Sequence, residues 1–156
     1  MRVWLLKTEP QECSIEHIRC ARDGIMRWDG IRNYQARNRL RDEVTEGDRC
    51  LIYHSGVREP AIVGSATVVR SAYPDPLQFD AASPLFDVRA SATQPRWVCI
   101  DIRYCEQFPR PLSLAAIKRH AGLASMCLLR QGRLSVQPVS ADEWHLIGQI
   151  CGAGST

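Results

Sequence analysis

The chain has 156 residues, a length that fits one domain, since single hydrophobic cores usually close at about 100 to 200 residues. With 45% hydrophobic and 24% charged residues it can fill a packed interior, which excludes global disorder, and no stretch approaches the roughly 20 uninterrupted apolar residues of a membrane span. The net charge of +3 is too small for a global field to attract nucleic acid, so any case for such a partner rests on where the charges sit.

Met1 to Leu6 is too short for the apolar region of a signal peptide, and the seven cysteines are odd in number and widely scattered, as expected of reduced thiols in an intracellular protein. Cys50 and Cys99 fall inside apolar runs and are expected to be buried. Cys13, His17 and Cys20, at spacings of four and three, would share one side of a helix, but no fourth ligand is apparent. Neither a metal nor a cofactor is expected, and the chain is expected to be a monomer without a membrane partner.

In chain order, Val3 to Lys7 reads as a strand stopped at Thr8-Glu9-Pro10, where proline breaks continuation. Ser14 caps a helix to about Arg22, with Ile15 and Ile18 inward, and a loop follows that carries Arg27 to Gly30. From Asn33 to Glu43 the residues favour helix, but Ala36 and Leu40 give only a thin apolar stripe, which leaves most of the helix exposed. Arg49 to His54 and Ala61 to Val69 form a hairpin. Tyr73 to Pro95, rich in proline, serine and aspartate, is a long surface excursion of the kind that carries function.

A strand at Trp97 to Tyr104 comes next, then a helix from Ser113 to about His120 and a strand at Arg133 to Gln137 with Leu134 and Val136 inward. Ser140 to Glu143 fits a capping box for a helix over Ala141 to Ile150. The pattern is a single α+β domain over 1–150, with 151–156 as a loose tail. Five or six strands with four short helices point to a small curved β-barrel decorated by helices.

Charge distribution says more than net charge. Eighteen of the twenty basic residues are arginine, and Arg27, Arg32, Arg37, Arg39 and Arg41 lie within fifteen residues that hold one acid, Asp29. That cluster suits either phosphates or a solvated helix face. Trp28, in a loop beside arginines, suits either an exposed stacking platform for a base or a lid on the core. Lys7 and Thr8, Tyr53 with His54 and Ser55, and Ser135 with Gln137 place donors and acceptors at strand ends, where polar groups can converge on a pocket. A base turned out of its stack needs such partners, although each residue alone also fits a turn or cap.

Six blocks in order, Trp4 to Pro10, Trp28 to Asn38, Tyr53 to Ser55, Ile62 to Gly64, Ala72 to Pro76 and Gly132 to Val139, resemble the EVE domain family, which includes the thymocyte nuclear protein group. The resemblance covers Val3 to about Ile150. It implies a PUA-like fold, related to YTH domains, and a non-catalytic reader that turns a modified base of DNA or RNA into an aromatic-walled pocket, modified cytosine in DNA foremost. Carried over by motif, Trp28 is the stacking wall and Lys7, Thr8 and Ser55 are pocket-edge groups. Arg32, Asn33 and Arg37 form a lip toward the nucleic acid, with Tyr34 and Asn38 in the same block. Cys13 and Pro60-Ala61 depart from the family pattern outside the pocket blocks.

Two other classes remain open from sequence. The fold implied by the resemblance also occurs in ASCH-type domains that resemble small amidohydrolases, and Lys7, Thr8 and Glu9 could imitate their lysine, threonine and acid. Alternation along a strand would send Thr8 to the face opposite Lys7 and Glu9. A scaffold that binds only protein, through the Arg27 to Arg41 segment, is the third.

Overall fold

β1 (Val3–Thr8) is the hub of the sheet: it runs parallel to β3 (Arg49–His54) and antiparallel to β6 (Val136–Val139). Both faces of β1 are covered, which is why it reads as an unbroken apolar run. Trp4 and Leu6 enter one core cluster and Val3 and Leu5 a second. The same parity divides β3, with Cys50 and Ile52 in the first cluster and Leu51 and Tyr53 in the second.

β3 turns antiparallel into β4 (Ala61–Pro74), the expected hairpin, and β4 pairs with β5 (Val98–Ser113), which pairs with β2 (Ile25–Trp28). The computed structural model, which describes residues 1–154, thus holds a six-stranded sheet in the order β2-β5-β4-β3-β1-β6. β4 and β5 run well past the expected ends at Val69 and Tyr104 because register shifts along their pairing bend the ladder instead of ending it. At the first of these shifts a Cβ on Gly64 would lie 2.5 Å from the Glu106 carbonyl oxygen and 2.8 Å from Ile15 Cδ1, so only glycine lets the strands meet. The curved sheet wraps the first cluster, which takes Trp28 from one edge strand and Val136 from the other. β2 and β6 do not pair, so the sheet is curved but not closed.

Helices follow their local signals. α1 (Ile15–Cys20) starts at a capping box of Ser14 and His17, and α2 (Tyr34–Asp42) at Asn33, whose side-chain oxygen accepts from Ala36 N at 2.9 Å. Ala36 and Leu40 are the buried residues of α2, as the thin stripe predicts. α3 (Leu114–Arg119) is capped by Ser113; the short α4 (Cys127–Arg130), not expected from the sequence, packs against β6. α5 (Ala141–Cys151) has the expected Ser140–Glu143 capping box and ends at Gly152, whose φ of 69° is the left-handed cap glycine favours.

Three expectations are corrected. Cys151 is the last, fully buried residue of α5 rather than the start of a loose tail, because its side chain belongs to the second core cluster. Gly154 is tied by its N–H to both Glu106 carboxylate oxygens, and residues 155–156 lie outside the described residues. The last strand is shifted to Val136–Val139 and contains Pro138, which an edge position tolerates. Arg27 and Trp28 belong to β2 instead of a loop.

A buried carboxylate anchors β1 to its surroundings. Asp48 accepts from the Trp4 indole at 2.9 Å and from the backbone N–H groups of Arg2 and Thr45 at 3.0 Å each. Burial alone would raise the Asp48 pKa, but these donors outweigh it and hold the carboxyl below the ordinary aspartate range. Its contribution is present above the ordinary value and is lost as pH falls below it. Asp48→Ala, which strands three donors, should lower unfolding stability by about 2 to 4 kcal/mol in urea titrations at pH 7.

Candidate nucleic-acid interface

The chain turns out of β1 and β2 around a cleft of about 820 Å³, within the roughly 300 to 1,000 Å³ typical of small-molecule sites. Its walls differ in character. Met26, Trp28 and Ile31, from β2 and the segment after it, form an apolar wall; Lys7, Thr8, Ser55 and Ser135 form a polar one. The polar wall is held by backbone bonds, Lys7 N to Ser135 O at 3.0 Å and Ser55 N to Thr8 O at 2.9 Å, so three separate segments meet at one rim.

Trp28 is not a free-standing indole. It is 5% exposed, its strand position pairs with Ile100, and it packs into the first core cluster while lining the cleft. Of the two readings the sequence leaves open, exposed platform or lid on the core, the platform is corrected to a fixed wall that also packs on the core, because β2 anchors a residue that the sequence placed in a loop. Among the polar lining residues, the Lys7 ammonium donates to the Gly132 carbonyl and sits 5.5 Å from the Tyr53 ring centroid; burial pushes its pKa down. Thr8 Oγ1 donates to the Cys13 carbonyl at 2.9 Å. The hydroxyls of Ser55 and Ser135 make no hydrogen bond among the described residues, so both are available to an occupant. Arg133 also lines the cleft, outside every ion pair among the described residues, and sequence reasoning missed it.

The loop after β2 takes its shape from Asp75, which is fully buried. One carboxylate oxygen accepts from Gly30 N at 2.8 Å and from Arg32 Nη1 at 3.0 Å; the other accepts from Leu77 N at 2.8 Å. Gly30 has a φ of 79°, where a side chain is strained, and Arg32 reaches onward to the Leu85 carbonyl at 3.1 Å. The excursion after β4 is therefore also structural: buried Gln78 donates to the carbonyls of Asp75 and Trp97 and accepts from the N–H groups of Arg96 and Trp97. Asp75 and Gln78 escaped sequence reasoning; the one signal was an acid between two prolines.

The other expected site residues lie elsewhere. Tyr53 and Gln137 do not line the cleft: Tyr53 packs into the second cluster beneath its register partner Lys7, and buried Gln137 donates through Nε2 to the carbonyls of Gln131 and Leu134. His54 is engaged through Nε2, which accepts from Ile15 N at 3.1 Å. Arg32 and Asn33 do line the cleft, whereas Tyr34, Arg37 and Asn38 sit beyond its edge: Tyr34 stacks on Trp97 with centroids 4.8 Å apart, and Arg37 donates to Asn38 Oδ1 and to the Arg96 carbonyl. Cys13, His17 and Cys20 also border the cleft, but His17 Nδ1 accepts from Ser14 N at 2.8 Å, and no cluster of three metal-ligating side chains occurs among the described residues.

Asp75→Ala leaves the Arg32 guanidinium without its buried counter-charge and should cost about 3 kcal/mol or more of unfolding stability in urea titrations. Burial holds the His54 pKa below the ordinary value of about 6.5, so the unfolded chain binds the extra proton first and stability falls as pH drops below that value. His54→Gln, whose amide oxygen can accept the same bond without titrating, should flatten the decline in Tm between about pH 7 and pH 5.

Comparison with known proteins agrees with this architecture. Chicken thymocyte nuclear protein 1 is 35% identical over 161 residues, an alignment that covers 92% of this chain and 66% of that protein's length. The solved structure of the human THYN1 protein in complex with 5-methylcytosine-containing DNA superposes with a TM-score of 0.92 at 31% identity, covering 99% of this chain and 100% of that one, and its PUA-like fold is the fold described above. An ASCH protein from Zymomonas mobilis, 11% identical with a TM-score of 0.56 over 96% of this chain and 99% of that one, shares the fold alone. A family model for the EVE domain matches residues 2–150, and the chain belongs to the EVE domain family.

Proposed function

We propose that this protein is a non-catalytic reader of modified cytosine in DNA, which receives the base, turned out of its stack, in the cleft beside Trp28. The observation that carries the reading is the pairing of a fixed indole wall with a polar wall whose Ser55 and Ser135 hydroxyls are unengaged among the described residues. A planar, methylated ring gains about 1 to 3 kcal/mol by stacking on an aromatic face, and the polar wall offers its hydrogen-bonding edge the partners it has lost. Lys7 and Ser135 are the groups we assign to that edge, with Ser55 and Thr8 beside them. Arg32 and Asn33 form the lip, and Arg133 a cation for an adjacent phosphate. The human relative's complex with 5-methylcytosine-containing DNA supports DNA over RNA as the polymer.

The geometry gives the amidohydrolase alternative no support. A threonine nucleophile needs a base within hydrogen-bond reach, yet Thr8 donates to the backbone carbonyls of Cys13 and Glu9. Neither Lys7 nor the Glu9 carboxylate bonds to its hydroxyl.

The test is titration of labelled oligonucleotides that differ in one cytosine, modified or not, with an RNA of the same sequence alongside. Trp28→Ala would open a cavity and destabilise the core by about 3 to 5 kcal/mol, so Trp28→Phe is the informative variant. The 5-methylcytosine DNA should bind more tightly, and Trp28→Phe and Ser135→Ala should each narrow the difference, by up to about tenfold. Equal affinity for all oligonucleotides, unmoved by either substitution, overturns the reading.

A further inference from the structure

Just outside the cleft lies a second group of residues that the base-binding reading does not use. Tyr34, 45% exposed at the start of α2, stacks on buried Trp97, with 4.8 Å between centroids and 29° between planes. Two more arginines converge on the pair. The Arg37 guanidinium lies 4.8 Å from the Tyr34 centroid and 5.8 Å from that of Trp97; Arg96 lies 5.8 Å from Tyr34 and donates to its hydroxyl. Arg32, from the lip of the cleft, stands 5.4 Å from the Trp97 ring, so the group is continuous with the cleft.

The charges in this group are unequal. Arg32 is paired with Asp75 and Arg96 with Asp87, but Arg37 is in no ion pair among the described residues. Its guanidinium is nonetheless held in place: Nη1 donates to the Arg96 carbonyl at 2.9 Å, and Nε and Nη2 donate to Asn38 Oδ1 at 3.1 and 2.8 Å. Three of the five N–H groups of the fork are thus engaged by neutral acceptors, leaving one on each terminal nitrogen. A cation fixed by neutral partners, flanked by aromatic rings and with two donors left over, is prepared for an oxyanion.

We infer that Arg37, braced by the Tyr34–Trp97 stack and Asn38, is a seat for a phosphodiester of the nucleic-acid strand that enters the cleft, supplying affinity that is indifferent to base modification. The inference rests on the nucleic-acid reading above but gives Arg37 a role of its own, in which the cleft discriminates and this seat anchors. Phosphates carry no sequence information, and each one neutralised by a cation releases counterions and steepens the salt dependence of binding.

The experiment measures affinity over a salt series for 5-methylcytosine and cytosine oligonucleotides with the wild-type chain, Arg37→Gln, Arg37→Lys and Tyr34→Leu, with folding checked by circular dichroism. Arg37→Gln should weaken binding of both oligonucleotides alike, about tenfold, and make the log–log salt slope shallower by about one. Arg37→Lys should keep the slope, and Tyr34→Leu should weaken both oligonucleotides in parallel. If Arg37→Gln leaves affinity and slope unchanged while the preference for the modified base persists, the seat is overturned and the reader stands. If the wild type shows no preference but Arg37→Gln still flattens the slope, the seat stands and the reader falls. Absence of any binding to nucleic acid removes both.

Discussion

A carboxylate with no access to water must be matched where it stands, and Asp75 is matched by the loop that shapes the cleft. Its oxygens draw in Gly30, Arg32 and Leu77, so one buried charge sets the path of the chain after β2 and anchors the excursion after β4. Gly30 can take the left-handed turn this requires, and Arg32 carries the tie across to Leu85. Without that match Arg32 would be a largely buried cation with no counter-charge, and removing one partner of such a pair is strongly destabilising because the other charge is left uncompensated.

The second constraint is the parity of the strands. β1 and β3 are covered on both faces, and alternate residues serve different cores. The cleft opens at the end of this arrangement, where Thr8 and Ser55 follow the last apolar residues of two parallel strands. Polar groups are tolerable there because backbone bonds between the segments satisfy one another, the Thr8 hydroxyl is spent on the Cys13 carbonyl, and the Ser55 hydroxyl is left unclaimed among the described residues.

Much of this is legible in the sequence. The apolar run of β1, the hairpin of β3 and β4, and the serine and asparagine caps are local signals, and each forms as its own residues dictate. Lys7, Thr8, Trp28, Arg32, Asn33, Ser55 and Ser135 all reach the cleft. What is not legible is whatever depends on distant partners. β2 exists because β5 pairs with it, and nothing within its four residues announces a strand that holds Trp28 in the core. Tyr53 and Gln137 look like site residues in sequence, but Tyr53 is enclosed in the second core cluster and the Gln137 amide is spent on the carbonyls of Gln131 and Leu134. Asp75 is visible as a residue, but its role appears only when Gly30 and Arg32 fold onto it.

The sheet that stops short of closure has a mechanical consequence. Trp28 sits on one border strand, while Ser135 and Arg133 lead into the other, and four strands separate the two in the ladder. Any molecule gripped by both walls therefore acts as a cross-tie over the gap, linking segments that share no ladder bonds. A molecule that binds there only when the chain is folded would add its binding free energy to the stability of the fold, at the place where the sheet leaves its ends unjoined.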